Sequence, residues 1–381
     1  MNDHPARAIT FLTSDLGGGT GDHLVSMIRH WNPDEWRARI ISERPVTSRF
    51  KPEVPVEVIS STGWLERYPL AQVRRLLAIG RSLRRDEPDL VHSFFFWSII
   101  YGRILKKLGV VRCLVENRED EGFSWTRRDY AILRASSFLP DRVICVSEAV
   151  RDVVVRKERI DPGRTVVIHN GIGPTPSLSR GRAEMRHELG IDEAETPLVG
   201  MVANLNRPVK GVGYFLDAIP LILRSVPSAR FVIFGGGKQE PDLREKARSL
   251  GIERSVTFAG FRSDIQSFYP ALDVSVLTSL SEGLSISLLE SMNHGLPMVV
   301  TRVGGNPEVV VEGETGFLVS PRDTPAFADR VIRLLLDPEL RSRMGRAGRR
   351  RVGRDFRMDR AASRYLTVYQ ELLMTGHGRR S

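Results

Sequence analysis

Cysteine is nearly absent from this chain of 381 residues: Cys113 and Cys145 are the two present, both in apolar, strand-like surroundings. That scarcity excludes a disulfide scaffold and a thiolate metal site, and reads as structural thiols in a reducing compartment. Apolar runs are short, and none approaches the roughly 20 residues that a membrane-spanning helix needs. Zinc-finger spacing and an RNP-type aromatic motif are both lacking, which argues against nucleic acid as a partner. The segment Met1 to Arg7 leads straight into the strand-like Ala8-Ile9-Thr10-Phe11-Leu12 with no signal-peptide pattern, so a cytosolic protein is expected. No internal repeat or low-complexity segment is visible.

Positive charge is in excess, with 56 Lys and Arg against 46 Asp and Glu, and its distribution is uneven. Residues 341–381 hold 12 Lys/Arg against 3 Asp/Glu, the first 170 residues come to +5, and the middle is slightly acidic. Such a pattern suits an anionic membrane surface or phosphate-bearing ligands. The length implies two domains of about 150–200 residues each.

Strand-like runs alternate with helical patterns throughout. The first series is Ile9–Thr13, Ala38–Ser42, Val56–Ile59, Leu90–His92, Arg112–Glu116, Arg142–Val146 and Val166–His169. After the Gly- and Pro-punctuated stretch Asn170 to Pro176 a second series follows: Leu198–Ala203, Phe231–Phe234, Val256–Phe258, Val274–Leu277, Met298–Thr301 and Gly316–Val319. Helical patterns such as Arg74–Arg85, Tyr214–Val226 and Pro241–Leu250 lie between them. This alternation predicts an α/β protein of two Rossmann-like domains, with parallel sheets facing across a ligand cleft.

Several loops carry residue types suited to a polar, charged ligand. Asp15-Leu16-Gly17-Gly18-Gly19-Thr20-Gly21 follows the first strand, as either a ligand loop or a tight turn. It lacks the third glycine of the dinucleotide fingerprint. Asn204-Leu205-Asn206-Arg207-Pro208-Val209-Lys210-Gly211 follows the first strand of the second series, where ligands collect in open α/β sheets. A forked guanidinium and an ammonium there match a diphosphate, or are simply solvated. Phe234-Gly235-Gly236-Gly237-Lys238 is a further close-approach loop, but Gln239 stands where a Walker A sequence needs Ser or Thr. In Ser281-Glu282-Gly283-Leu284-Ser285-Ile286-Ser287-Leu288-Leu289-Glu290, two carboxylates stand eight positions apart. A helix opening near Gly283 would present both on nearly one face, beside amides able to receive an anion.

Taken in order, these loops, with His169-Asn170-Gly171-Ile172 and Gly304-Gly305-Asn306-Pro307-Glu308, resemble a retaining family-4 glycosyltransferase of the group 1 type. The likeness is strongest over residues 166–320. It implies a GT-B fold: an acceptor-binding domain over 1–170, a nucleotide-sugar-binding domain over 177–355, and a helix over 356–376 crossing back to the first. It implies a hexose-type sugar moved from a UDP- or GDP-sugar to a glycan or lipid-linked acceptor in cell-surface polysaccharide or glycolipid synthesis. By the same resemblance Arg207 and Lys210 hold the diphosphate, Glu282 lies against the sugar and Glu290 binds the ribose. Gly283, Leu284 and Ser285 approach sugar and phosphate through their backbone, and Phe261 and Arg262 fall in the base-contacting loop. Gly18, Gly19, Asn204 and Gly235 complete the donor set. No Asp-x-Asp motif occurs, and the two cations can serve as counter-charge, so catalysis without a metal and without a cofactor is expected.

The acceptor side departs from the family pattern. Its first loop lacks the Gly-Gly-small-Glu sequence, and Val115-Glu116-Asn117-Arg118-Glu119-Asp120-Glu121 lacks the histidine that many members carry there. Asn117, Arg118 or Asp120 would fill that role, with His92 the nearest histidine, either structural or direct. The stretch Trp64 to Leu70, with Arg74, Arg75, Arg81, Arg84 and Arg85, is either a solvated helix face or a docking site for anionic lipid. A nucleotide-sugar epimerase, a phosphorylase and a non-catalytic scaffold of the same architecture are the alternatives.

Overall fold

The structure is a computed structural model that describes residues 6–14, 16–44, 53–59, 69–175, 180–193 and 195–375. The chain divides into two compact units: Met1–Gly173 with Met358–Ser381, and Pro174–Arg357.

The first unit is built on strands β1 (Arg7–Thr13), β2 (Trp36–Ser42), β3 (Val56–Val58), β4 (Leu90–Ser93), β5 (Leu114–Arg118), β6 (Arg142–Cys145) and β7 (Thr165–Val167). They pair in parallel in the order β3-β2-β1-β4-β5-β6-β7. Its helices are α1 (Gly18–Ile28), α2 (Pro69–Asp86), α3 (Phe96–Lys107), α4 (Arg127–Ala135) and α5 (Glu148–Val153). The second unit carries β8 (Leu198–Val202), β9 (Arg230–Phe234), β10 (Val256–Gly260), β11 (Val274–Leu277), β12 (Met298–Thr301) and β13 (Gly316–Val319). These pair in parallel as β10-β9-β8-β11-β12-β13. Its helices are α6 (Arg182–Glu188), α7 (Val212–Ser225), α8 (Glu240–Ser249), α9 (Ile265–Phe268), α10 (Ile286–Asn293), α11 (Asn306–Val309), α12 (Thr324–Leu336) and α13 (Pro338–Asp355). The last helix, α14 (Met358–Met374), belongs to the first unit.

The seven and six apolar runs read from the sequence are the strands of these two sheets. A strand covered on both faces by helices reads as a continuous apolar run. The pleat sends Phe11 and Ile40 to one face of the first sheet, against α1 and α14, where Tyr365 and Tyr369 are fully buried. It sends Leu12 and Ile41 to the other face, against Ile79 and Leu83 of α2 and Tyr101 and Leu105 of α3. The start of α14 is tied down by Met358, whose N–H donates to the Ile172 carbonyl at 3.0 Å. Cys113 and Cys145 are buried free thiols, and burial pushes both up to about 12.

One strand corrects the sequence reading in a way that matters for function. β5 runs from Leu114 to Arg118, two residues beyond the expected end at Glu116. Charged residues continue this strand because a buried cluster neutralises them. Arg103 donates to both Glu116 oxygens at 2.6 and 2.8 Å, and Arg118 bridges Glu116 at 2.9 Å and Glu158 at 2.7 Å.

Candidate functional site

The loops of the second unit that follow β8, β9, β11 and β12 are locked to one another by backbone contacts. Gly235, at φ +129°, lies so close to Ala203 that a Cβ would overlap its carbonyl oxygen. Gly304, at φ +49°, packs in the same way on the carbonyl of Glu282. Neither position has room for a side chain, which accounts for both glycine motifs. The Gly305 N–H donates to the Gly283 carbonyl at 2.9 Å, and the Leu280 N–H to Val209 at 2.7 Å.

This frame holds Lys210 against Glu282. The Nζ lies 2.7 and 2.9 Å from the two carboxylate oxygens, and the Ser279 hydroxyl donates to Oε1 at 2.6 Å. Lys210 ends the 3-10 turn Pro208–Lys210, and the exposed Arg207 precedes that turn. The Asn204 side chain accepts from the Asn206 N–H at 2.9 Å, and the Asn206 side chain from the Lys238 N–H at 2.9 Å, joining the β8 and β9 loops.

The expected single helical face for Glu282 and Glu290 is corrected. α10 opens at Ile286 with Ser285 as its N-cap, because the Gly304 and Gly305 contacts hold Glu282 and Gly283 in a non-helical loop. Glu282 therefore precedes the helix and Glu290 lies within it, each with its own partners. Glu290 is 5% exposed and accepts from Gln266 Nε2 and Tyr269 Oη, both at 2.7 Å. The Ser285 hydroxyl lies 3.1 Å from the Ser287 hydroxyl and does not cap the backbone N–H groups of the first turn of α10, the end of a helix that favours an anion. Leu284 is buried beside it. Phe261 is 70% exposed after β10, whereas Arg262 is held by Glu188 and by Asp264, at 3.1 Å, over the Phe268 ring.

In the first unit, three of the four acceptor-side expectations turn inward. His92 is fully buried, with Nδ1 2.8 Å from the Tyr369 hydroxyl, and burial pushes it down to about 3. It is a neutral core residue. Arg118 is locked in the buried charge cluster, and Asn117 is buried, accepting from the Tyr365 hydroxyl at 3.1 Å. Asp120 is half-buried and accepts from the Gly122 N–H at 2.8 Å, a turn-forming contact. Gly18, at φ +70°, and Gly19 begin α1 with no side-chain cap.

Glu119 is the residue that sequence reasoning missed. As the first residue past β5 it meets the Gly-rich segment, accepting from the Thr20 hydroxyl at 3.4 Å and from the Asn117 amide. Burial pushes its carboxyl up to about 7, with Asn117 and Thr20 opposing and Asp120 adding to the shift. The available signal was the strand end: extending β5 by one pleat repeat turns Asn117 and Arg118 into strand residues and leaves Glu119 at the loop.

Comparison with known proteins covers both units. A family model described as Glycosyltransferase Family 4 matches residues 17–175, and one described as Glycosyl transferases group 1 matches residues 196–337. The chain is 33% identical over 217 residues to N-acetyl-alpha-D-glucosaminyl L-malate synthase of Bacillus anthracis, covering 57% of this chain and 56% of that protein. It is 25% identical over 317 residues to the UDP-Gal:alpha-D-GlcNAc-diphosphoundecaprenol alpha-1,3-galactosyltransferase of Escherichia coli, covering 80% of this chain and 81% of that one. Among solved structures it is similar to Anabaena HepE in complex with UDP and glucose. The TM-score is 0.85 at 20% identity, over 96% of this chain and 100% of that one.

Proposed function

The chain belongs to the group 1, family 4 glycosyltransferases of GT-B fold, which draw on nucleotide-sugar donors, and on that premise we propose a retaining hexosyltransferase. In this reading the second unit binds a UDP- or GDP-sugar. The first unit binds a glycan or lipid-linked acceptor in the assembly of a cell-surface polysaccharide or glycolipid.

The observation that carries the reading is the Lys210–Glu282 pair, pinned between the β8 loop and the Gly304 turn. Transfer of the sugar breaks its bond to the diphosphate and builds negative charge on the leaving oxygen. Lys210, held by Glu282, and the N-terminus of α10 are preorganised positive groups for that charge, and the exposed Arg207 adds a further cation beside them. With a diphosphate bound, the Lys210 ammonium would lie between two anionic partners, and Glu282 would be turned toward the sugar hydroxyls. In front-face retention the acceptor oxygen bonds to the anomeric carbon on the side the phosphate leaves, and the phosphate takes the acceptor proton. The protein then needs to supply orientation rather than a strong base. UDP-sugars as donors are supported by what the E. coli and Anabaena proteins are described as using or binding.

A specific surface favours peripheral docking on the inner, anionic face of a membrane. No helix of the described residues is long and apolar enough to cross one. Yet α2 turns Leu70, Val73 and Leu77 outward, at 71, 50 and 52% exposure, with Arg74, Arg81 and Arg84 on the same exposed side. Residues three and four apart share a helix face, so this stripe lies opposite the buried Ile79 and Leu83. The sequence segment Trp64 to Tyr68 lies outside the described residues.

The deciding experiment is a thermal-shift panel with UDP, GDP, ADP and their sugar conjugates, followed by NMR of the anomeric configuration of the product. Stabilisation by one nucleotide diphosphate, lost in Lys210→Ala, is the expected result. An inverted anomer, or a nucleotide response indifferent to Lys210, would overturn it.

A further inference from the structure

Glu290 belongs to a closed ring of side chains whose other members have no place in the donor reading given above. Tyr269 follows α9 in the 3-10 turn Tyr269–Ala271, Gln266 is on α9, Glu290 is on α10, and His294 is the C-cap of α10, four residues on from Glu290. Gln266 Nε2 reaches Glu290 Oε1 at 2.7 Å, and the Tyr269 hydroxyl reaches Oε2 at 2.7 Å. The far end of the Gln266 amide, Oε1, is 2.8 Å from His294 Nε2. The His294 ring then stacks on Tyr269 with centroids 5.1 Å apart, closing the circle.

Hydrogen-bond chemistry assigns each atom in the ring. A carboxylate accepts only, so Gln266 must offer Glu290 its NH2 group, and its oxygen must face His294. His294 must therefore donate from Nε2, which fixes its tautomer. Burial, with Arg349 adding to it, pushes His294 down to about 4, so the ring is neutral at physiological pH. Each oxygen of Glu290 is thus engaged by a different donor, and the carboxylate plane cannot rotate without losing both charge-assisted bonds. An ionised carboxylate accepts at about four positions, so protein donors can orient it and still leave it a ligand.

We propose that Gln266, His294 and Tyr269 are positioning residues that aim the Glu290 carboxylate at the ribose hydroxyls of the donor nucleotide, and so set its preference for ribo- over deoxyribonucleotides. The inference rests on the reading of Glu290 as the ribose ligand. None of the three need touch the nucleotide. They act through Glu290, which alone would have several rotamers available in a widened pocket.

Calorimetric titration of the full chain with UDP, GDP and their 2′-deoxy forms tests this. The parent protein binds one ribonucleotide more tightly than its deoxy form, and Glu290→Ala removes that preference. Gln266→Leu and His294→Phe, the second of which keeps a ring on Tyr269, each lose about tenfold in affinity for the ribonucleotide. Both change affinity for the deoxy form by less than about twofold on the same scale. His294→Gln, which retains a donor, keeps most of the preference. A parental preference in Gln266→Leu and His294→Phe, with Glu290→Ala collapsed, overturns the positioning role and leaves the ribose reading intact. A parental preference in Glu290→Ala, or no preference in the parent, overturns the ribose reading and this inference with it. Equal losses for both nucleotide forms would mark a purely structural ring and likewise overturn the proposal.

Discussion

The two units share a parallel α/β plan and differ in where they put charge and apolar surface. In the second unit the strand-end loops present Lys210, Glu282 and Arg207, and two large apolar side chains are exposed among the described residues, Phe261 and Leu336. In the first unit polar groups at comparable strand ends, His92, Asn117 and Arg118, are buried, while eleven large apolar side chains are exposed among the described residues. One sheet carries its chemistry on loops that backbone contact holds rigid. The other neutralises charge inside and leaves grease outside. On the function proposed above, the donor of high charge density goes with the second unit and an amphiphilic or lipid-linked acceptor with the first.

The sharpest way to break the comparison is at the ion pair. Lys210→Ala should lower turnover by about 10²–10³-fold, the usual cost of removing one preorganised electrophilic group. Nucleotide-release kinetics measure it. An effect on KM alone would mean that Lys210 contributes only uniform binding. Next in size is Gly304→Ala, which forces a Cβ into the Glu282 carbonyl and should destabilise the second unit by about 1–3 kcal/mol. Gly251→Ala is the comparison, since Gly251 also has a positive φ, +67°, but open space around it. Its cost should stay near about 1 kcal/mol, the backbone term alone. Equal melting-temperature losses in the two variants would show that contact at Gly304 is unimportant.

On the first unit, the outward face of α2 should govern partition onto vesicles. Arg81→Glu with Arg84→Glu removes attraction worth about 1 kcal/mol per residue near an anionic surface. Binding to phosphatidylglycerol-containing vesicles should fall, with binding to pure phosphatidylcholine unchanged and nucleotide binding intact. Loss of nucleotide binding would indicate damage beyond that face. The remaining effect is read through pH, at Glu119. Its folded carboxyl titrates near 7, above the ordinary carboxylate value, so its favourable contribution is full below about pH 4.5 and is lost as pH rises through 7. The melting temperature of the parent should therefore fall more between pH 5 and pH 8 than that of Glu119→Gln. Parallel curves would show that Glu119 is an ordinary solvated carboxylate.

Legibility followed the same division. The loop of Gly235 could be read as a close-approach loop from the sequence, and Gly304 entered only through the resemblance; at both positions close backbone approach tolerates no side chain. On the first unit the end of β5 was not legible, because Asn117 and Arg118, past the expected strand end at Glu116, look like a loop. Charged residues in a central strand are unusual, and nothing local announces that Arg103 and Glu158, from elsewhere in the chain, will neutralise them. His92 stayed open between a structural and a direct role for a related reason: a histidine at a strand end reads the same whether it faces a ligand or, as here, Tyr369 of the last helix.

The sequence by itself determined the alternation of the thirteen strands of the described residues with helices, because buried parallel strands are mostly apolar runs and their crossover connections are usually helical. It also determined which loops crowd their neighbours, through glycine. Tertiary structure alone decided which polar groups meet. The pairing of Lys210 with Glu282, the ring around Glu290 and the contact of Glu119 with Thr20 join residues from 21 to 99 positions apart in the chain. No local propensity encodes such pairs. They exist because each sheet brings the ends of its own separate strands to one edge, and because a buried charge must find its partner wherever the fold has placed it.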